Sequence, residues 1–280
     1  MVECAPAGPQ AVMMPKALLI FRLVFLERSA YRVNFCLEIA GGILSILIVV
    51  FLWLAVYRFS GRAELGGFSL AEMITYLLGG GVINSFLLTT AENPETSQAI
   101  QEGSLSNLLI QPISPYWVWL LRDLAGKTYL GLIGLAGYAI VSLFFRDLLV
   151  FCSDPLRLIL FAVALVAAAL LQYLMFEALN LLAFWVENTY GIRFSMRVIM
   201  EVVGGAIIPL SFFPPLLQEA FGLLPFPYLV YFPMQIYLNK VDLAEIVAEL
   251  GRIAVWMAAL AGLNAFLWRK GLSRYTAMGD

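Results

Sequence analysis

Histidine is absent from all 280 residues, and charge is scarce: Lys, Arg, Asp and Glu together make up 13% of the chain. Without histidine the chain lacks the commonest metal ligand and the commonest general base, which argues against a metalloenzyme or a haem-handling protein. A soluble domain carries about 25% charged residues, so a chain with this little charge does not cover a water-facing surface. Cysteine is nearly absent too. Cys4, Cys36 and Cys152 lie far apart, and their spacing is neither a disulfide framework nor a metal cluster. The net charge of −2 gives no reason to expect nucleic acid or another polyanion as a partner.

What the chain does have is apolar length. Hydrophobic residues make up 62% of it and the mean hydropathy is +0.88. The apolar runs approach ~20 residues, the length of a spanning helix, whereas a barrel shows alternating segments of about ten. The expected fold class is therefore an all-α integral membrane protein, a single transmembrane domain over residues 1–280. Six spans are expected: Val33–Tyr57, Met73–Thr90, Thr128–Phe145, one within Leu158–Trp185, Val198–Phe213, and a last helix that spans to Trp268. Trp53 and Tyr57 form an interfacial aromatic end, and Gly79 to Gly81 permit close approach of a neighbouring helix backbone.

The first 32 residues read as a cytoplasmic or interfacial segment. "ALLIFRLVFLERS" (Ala17–Ser29) is broken by Arg22 and has no small-residue cleavage site, so it does not read as a convincing leader peptide. It reads as an amphipathic helix at the membrane surface; an extra core-facing helix is the alternative. Residues 214–238 are apolar but cut by Pro214, Pro215, Pro225, Pro227 and Pro233. The pieces between prolines are too short to span, and they read as two short re-entrant or interfacial helices on the outer side. Asp242, with Glu245 three residues on, has the pattern of a helix N-cap.

Cations set the orientation. With both termini in the cytoplasm, eleven fall inside (Lys16, Arg22, Arg28, Arg32, Arg122, Lys127, Arg193, Arg197, Arg269, Lys270 and Arg274). Six fall outside (Arg58, Arg62, Arg146, Arg157, Lys240 and Arg252).

Residues 91–115 interrupt the apolar pattern. Asn93 can cap a helix that begins at Pro94, Gly103 can end it, and Ser104 can cap a second helix. Gln98, Gln101 and Glu102 form a polar side; Leu105, Leu108 and Leu109 form an apolar one. A connector of about 25 residues with its own capped helices is long for two adjacent spans, and a rigid helix pair under a membrane domain suits docking into a groove of another protein. "AGKT" (Ala125–Thr128) is not a phosphate loop, because Leu121 occupies the position that needs glycine; Lys127 reads as an interfacial anchor.

Three segments carry a resemblance. "LERSAYRVNF", "GGFSLAEMITYLL" and "QEGSLSNLLIQPISP" resemble the permease (transmembrane) subunits of type-2 ABC (ATP-binding cassette) exporters. The resemblance implies a non-catalytic permease in a bacterial cytoplasmic (inner) membrane, with a second permease subunit, identical or paralogous, and separate ABC ATPase subunits. ATP and Mg would sit on those ATPases, and this chain would carry no cofactor. It also implies a coupling helix between spans two and three, which falls on Glu95, Gln98, Gln101, Glu102, Gly103, Leu105, Leu108 and Leu109. Gln111 departs from the basic residue often found before the proline. The apolar spans favour an amphipathic, lipid-like or peptide-like substrate.

Polar residues within spans are the remaining clue: Asn84, Gln172, Glu177, Asn180 and Glu201. Such groups face a bundle interior or cavity. They read as a translocation path or permease interface, with helix–helix hydrogen bonding as the alternative. A membrane-embedded lipid-processing enzyme and an ATP-independent channel or scaffold remain as rival functions.

Overall fold

The computed structural model of the chain describes residues 18–27, 32–87, 94–110 and 114–275. Asn93, Gln111 and Pro112, expected at the edges of the polar interruption, lie outside these residues, as do Cys4, Lys16 and Arg28. The long helices are α2 (Arg32–Ser60), α3 (Leu70–Leu87), α6 (Pro115–Phe144), α7 (Pro155–Leu181) and α11 (Leu243–Leu272). Shorter ones are α1 (18–27), α4 (Glu95–Gln101), α5 (Leu105–Leu109), α8 (Tyr190–Val203), α9 (Pro215–Gly222) and α10 (Tyr231–Tyr237). Among the described residues, three helices are long and apolar enough to cross a membrane: Leu70–Leu87, Pro155–Phe184 and Leu243–Leu272.

The helices run between two ends. At one end, α2 turns into a hairpin of β1 (Glu64–Leu65) and β2 (Phe68–Ser69), a small exception to the all-α expectation. Gly66 and Gly67 both have positive φ, as a tight two-residue hairpin turn demands. Ser69 and Glu72 then start α3 with a reciprocal capping box: Glu72 N donates to Ser69 Oγ at 3.3 Å, and Ser69 N donates to Glu72 Oε2 at 2.7 Å. Lys240, between α10 and α11, ties in from across the end. Its Nζ reaches Glu72 Oε1 and the Gly67 carbonyl, both at 2.8 Å, and lies 4.9 Å from the Phe68 ring centre. Tyr76 Oη donates to the Gly205 carbonyl at 2.6 Å, binding the turn after α8 to the same end. The resembling segment "GGFSLAEMITYLL" is therefore a structural corner, with Phe68, Met73 and Tyr76 buried in the main core. At the opposite end α4 and α5 pack beneath the start of α6, the end of α7 and the end of α11.

The central glycines act differently from the expectation. A Cβ on Gly79 would sit 2.8 Å from Met234 Cε, and one on Gly80 would sit 3.3 Å from a Val230 methyl; nothing lies near Gly81. Gly79 and Gly80 thus admit side chains of the 214–238 segment rather than a helix backbone. The close α3–α6 packing rests on Gly131 and Gly134 of α6, which face Phe86, Val82 and Ser85.

The fifth segment departs furthest. The expected span Val198–Phe213 is not one helix. Helix α8 starts earlier, at Tyr190, and ends at Val203, because Gly204 and Gly205 turn the chain, Gly205 with φ +81. Its 14 residues cover about 21 Å at 1.5 Å each. The third segment begins earlier than expected: α6 is continuous from Pro115, so the charged turn before the predicted span is its first half. Asp242 stands at the N-cap of α11 and Ser104 at that of α5, but neither side chain makes a capping bond.

Residues 214–238 form two short helices and a 3-10 turn (Phe226–Tyr228). Helix α9 buries no residue, whereas Phe232 through Ile236 of α10 are all buried. Helix α1 packs Phe25 edge-on against Tyr129 of α6 and leaves Leu18, Leu19, Leu23 and Leu26 exposed.

Candidate functional site

Helix α4, Gly103 and helix α5 form the expected helix–glycine–helix element. Gly103 takes φ +76, a left-handed conformation that favours glycine. Its carbonyl accepts from Tyr275 Oη at 2.7 Å, and that same hydroxyl lies 3.2 Å from Ser106 Oγ, so the tail after α11 holds the bend.

The apolar side divides. Leu105 is fully buried among Ala99, Ile100, Trp119, Leu181 and Ala183. Leu108 is partly buried and packs at the margin of that cluster. Leu109 is 43% exposed, and Ile110, next along the chain, is 83% exposed. The three leucines therefore do not act as one face: Leu105 fixes the element, and the Leu109–Ile110 end faces away from the bundle. On the polar side, Gln98 and Glu102 are exposed. Gln101 is committed to the bundle, its Nε2 donating to the Glu187 carbonyl at 2.6 Å. Glu95 pairs with Arg122 of α6 at 3.0 Å.

A buried residue that the sequence reading passed over joins this element to the interior. Thr96 Oγ1 donates to Glu177 Oε2 at 3.0 Å, and both side chains are buried. The available signal was Thr96 at i with Ala99 and Ile100 at i+3 and i+4, the inward face of α4. One turn on, Asn180 Oδ1 accepts from buried Arg193 Nη1 of α8 at 3.4 Å. Arg193 was expected in a connecting loop; it lies inside α8 because that helix starts at Tyr190.

The expected pathway or interface residues fall on three helices, α3, α7 and α8. Glu177 and Asn180 share the α4 end of α7. Glu201 pairs with Arg197 on α8 at 3.0 Å, and Asn84 sits half-buried on α3 with its Oδ1 enclosed. Gln172 is buried on α7, five residues before Glu177. An apolar cleft of about 230 Å³ lies between α3, α6 and α7, lined by Val82, Phe86, Thr128 and Leu165 among others.

Lys127 is corrected outright. It is not an interfacial anchor: it is completely buried, ion-paired with Asp123 one turn earlier, and donates to the Ala169 carbonyl of α7 at 3.3 Å. A charge taken from water is tolerated when paired and hydrogen-bonded, and helix α6 supplies both groups at i and i+4. "AGKT" lies within continuous helix. Among the described residues no three His, Cys, Asp or Glu side chains converge as metal ligands would.

A search of curated proteins found no match to the chain. The family model for ABC-2 family transporter proteins, in contrast, matches residues 43–279, which include the α3 corner, the α4–α5 element and α11. A match over most of a chain whose helices carry these membrane-crossing lengths places it firmly: it belongs to the ABC-2 family of membrane transporter proteins.

Proposed function

We propose that the chain is the transmembrane permease subunit of an ATP-driven exporter, and that it does no chemistry itself. ATP and Mg are held by separate ABC ATPase subunits, and a second permease half completes the path. Its six passes are α2, α3, α6, α7, α8 with the chain that follows it, and α11. The α4–α5 end and both termini face the cytoplasm of a bacterial cell, and the 214–238 segment faces outward as a re-entrant element. The substrate is amphipathic, lipid-like or peptide-like, in keeping with the apolar cleft between α3, α6 and α7.

The observation that carries this reading is the α4–Gly103–α5 element. It is rooted in the bundle by Leu105 and by the Thr96–Glu177 bond, yet presents Gln98, Glu102, Leu109 and Ile110 outward. A rooted element with an exposed apolar tip suits an ATPase groove, and force applied there reaches α7 directly. The test is copurification with ABC ATPase subunits co-expressed from the same genome. Ile110→Asp removes an exposed apolar contact without touching the packed side. It should weaken ATPase binding by about tenfold or more, because an unpaired charge in an apolar contact costs more than 1 kcal/mol, while membrane abundance stays at wild-type level. Full ATPase retention and stimulation in this variant would reduce the element to a connector. Leu108→Asp is a poorer probe, since it also disturbs packing against the buried cluster around Leu105.

A further inference from the structure

Helix α9 lies over the first half of α11 without burying any residue of its own; Leu216 and Leu223 are 77% and 76% exposed. Between the two helices runs a groove of about 1030 Å³. Leu216, Leu223, Val255 and Trp256 give it apolar walls, and Glu219 on α9 and Arg252 on α11 give it one charge of each sign.

The depth of the groove follows from α11. After Arg252 the helix carries no charged residue until Arg269. The intervening rise is about 25 Å, close to the ~30 Å of a bilayer's hydrocarbon core. Arg252 and Arg269 therefore mark the two interfaces. Val255 and Trp256, a turn beyond Arg252, lie on the hydrocarbon side, with Trp256 at the usual depth of an interfacial aromatic. The polar end of the groove is at the headgroup level.

Arg252 is held ready there. Its Nη1 donates to Glu249 Oε1 at 2.6 Å, and Tyr228 Oη donates to the other oxygen of that carboxylate at 2.8 Å. Glu249 is thus occupied on both oxygens, while the Arg252 side chain remains 64% exposed. A guanidinium with outward N–H groups suits a phosphate, and the exposed Glu219 carboxylate suits an ammonium. We propose that the α9–α11 groove binds an amine-bearing zwitterionic phospholipid of the surrounding bilayer. Its phosphate lies on Arg252, its ammonium on Glu219, and its acyl chains along Val255 and Trp256. An anionic lipid would meet repulsion from Glu219. This site requires only that the chain is a membrane protein and stands apart from the transport reading.

The experiment is native mass spectrometry of the full chain from nanodiscs of equimolar phosphatidylethanolamine, phosphatidylcholine and phosphatidylglycerol. The wild type should retain phosphatidylethanolamine over both others. Arg252→Gln should lower total retention by about fivefold, the size of an exposed charge pair. Glu219→Gln lies on a helix with no buried residue, so folding is spared. It should keep retention but abolish the preference for the amine lipid. Three results would overturn the proposal: equal or greater retention of phosphatidylglycerol or phosphatidylcholine by the wild type, unchanged behaviour of both variants, or lipid-free dimers joined through Leu223→Cys in a background lacking the native cysteines. The last would make the groove an interface between copies of the chain.

Discussion

Thr96 and Glu177 are 81 positions apart in the chain and meet in a 3.0 Å hydrogen bond between two buried side chains. A buried carboxylate accepting from a hydroxyl loses heavily if the hydroxyl goes. Thr96→Val keeps the shape and should destabilise the α4 anchorage by about 1–3 kcal/mol, read as faster proteolysis within residues 94–110 in membranes. Glu177→Gln retains an acceptor for Thr96 and should change that rate little. If Thr96→Val is as protected as wild type, the apolar packing of Leu105, Ala99 and Ile100 and the bonds of Gln101, Glu95 and Gly103 root the element without it. The Asp123–Lys127 pair has the same logic at higher stakes. Removing Lys127 breaks a buried ion pair, which typically costs about 3–5 kcal/mol, so Lys127→Met should fall well below wild type in membrane abundance.

At the scale of elements, the bend at Gly103 decides where α5 points. A residue with a β-carbon in the left-handed region costs about 1–2 kcal/mol. Gly103→Ala should therefore lower ATPase copurification through α5 misplacement, and Ile110→Asp added to it should have less effect than on its own. Additive losses would separate the bend from the contact. The 3-10 turn and helices of residues 214–238 form a second composite element. Here α10 is the inserted part and α9 the exposed flap, because Gly79 and Gly80 leave room on α3 for Met234 and Val230.

At the scale of the whole molecule, several of the described cations mark the two ends of the helices. Arg157, donating to the Val241 carbonyl at 2.9 Å, and Lys240, on the hairpin, share one end. Arg122, beside Glu95, and the last turn of α11 with Arg269 and Lys270 share the other. Lys127 and Arg193 are buried, so the sequence tally of eleven against six becomes nine against six (eleven less two). A cysteine at exposed Gln98, in a background without the native three, should react with an impermeant reagent only from inside. Reporters fused after Phe213 and after Leu238 should both report the outside. Opposite sides for the two fusions would mean a further crossing within residues 214–238.

Composition and run length alone determined that this is a helical membrane protein, because scarce charge and runs of ~20 apolar residues have few other stable outcomes. Local chemistry was equally plain where one residue decides the backbone: glycine at 103 breaks a helix pair, and five prolines keep residues 214–238 from forming one long helix. Only tertiary structure decided which polar residues matter. Thr96, Arg193, Lys127 and Lys240 are chemically ordinary in the sequence, and each takes its role from a partner on another helix or across a turn. The same is true of Leu105 and Leu109, four residues apart yet buried and exposed respectively. Five residues of helix are too few for periodicity to define a face, so the packing of α6, α7 and α11 above them chose it. The end of α8 was missed for a related reason: an apolar run through Gly204 and Gly205 looks continuous by hydropathy, but a positive φ at Gly205 and the Tyr76 bond to its carbonyl turn the chain there. Hydropathy reports what a segment avoids; direction and contact come from neighbours distant in the chain.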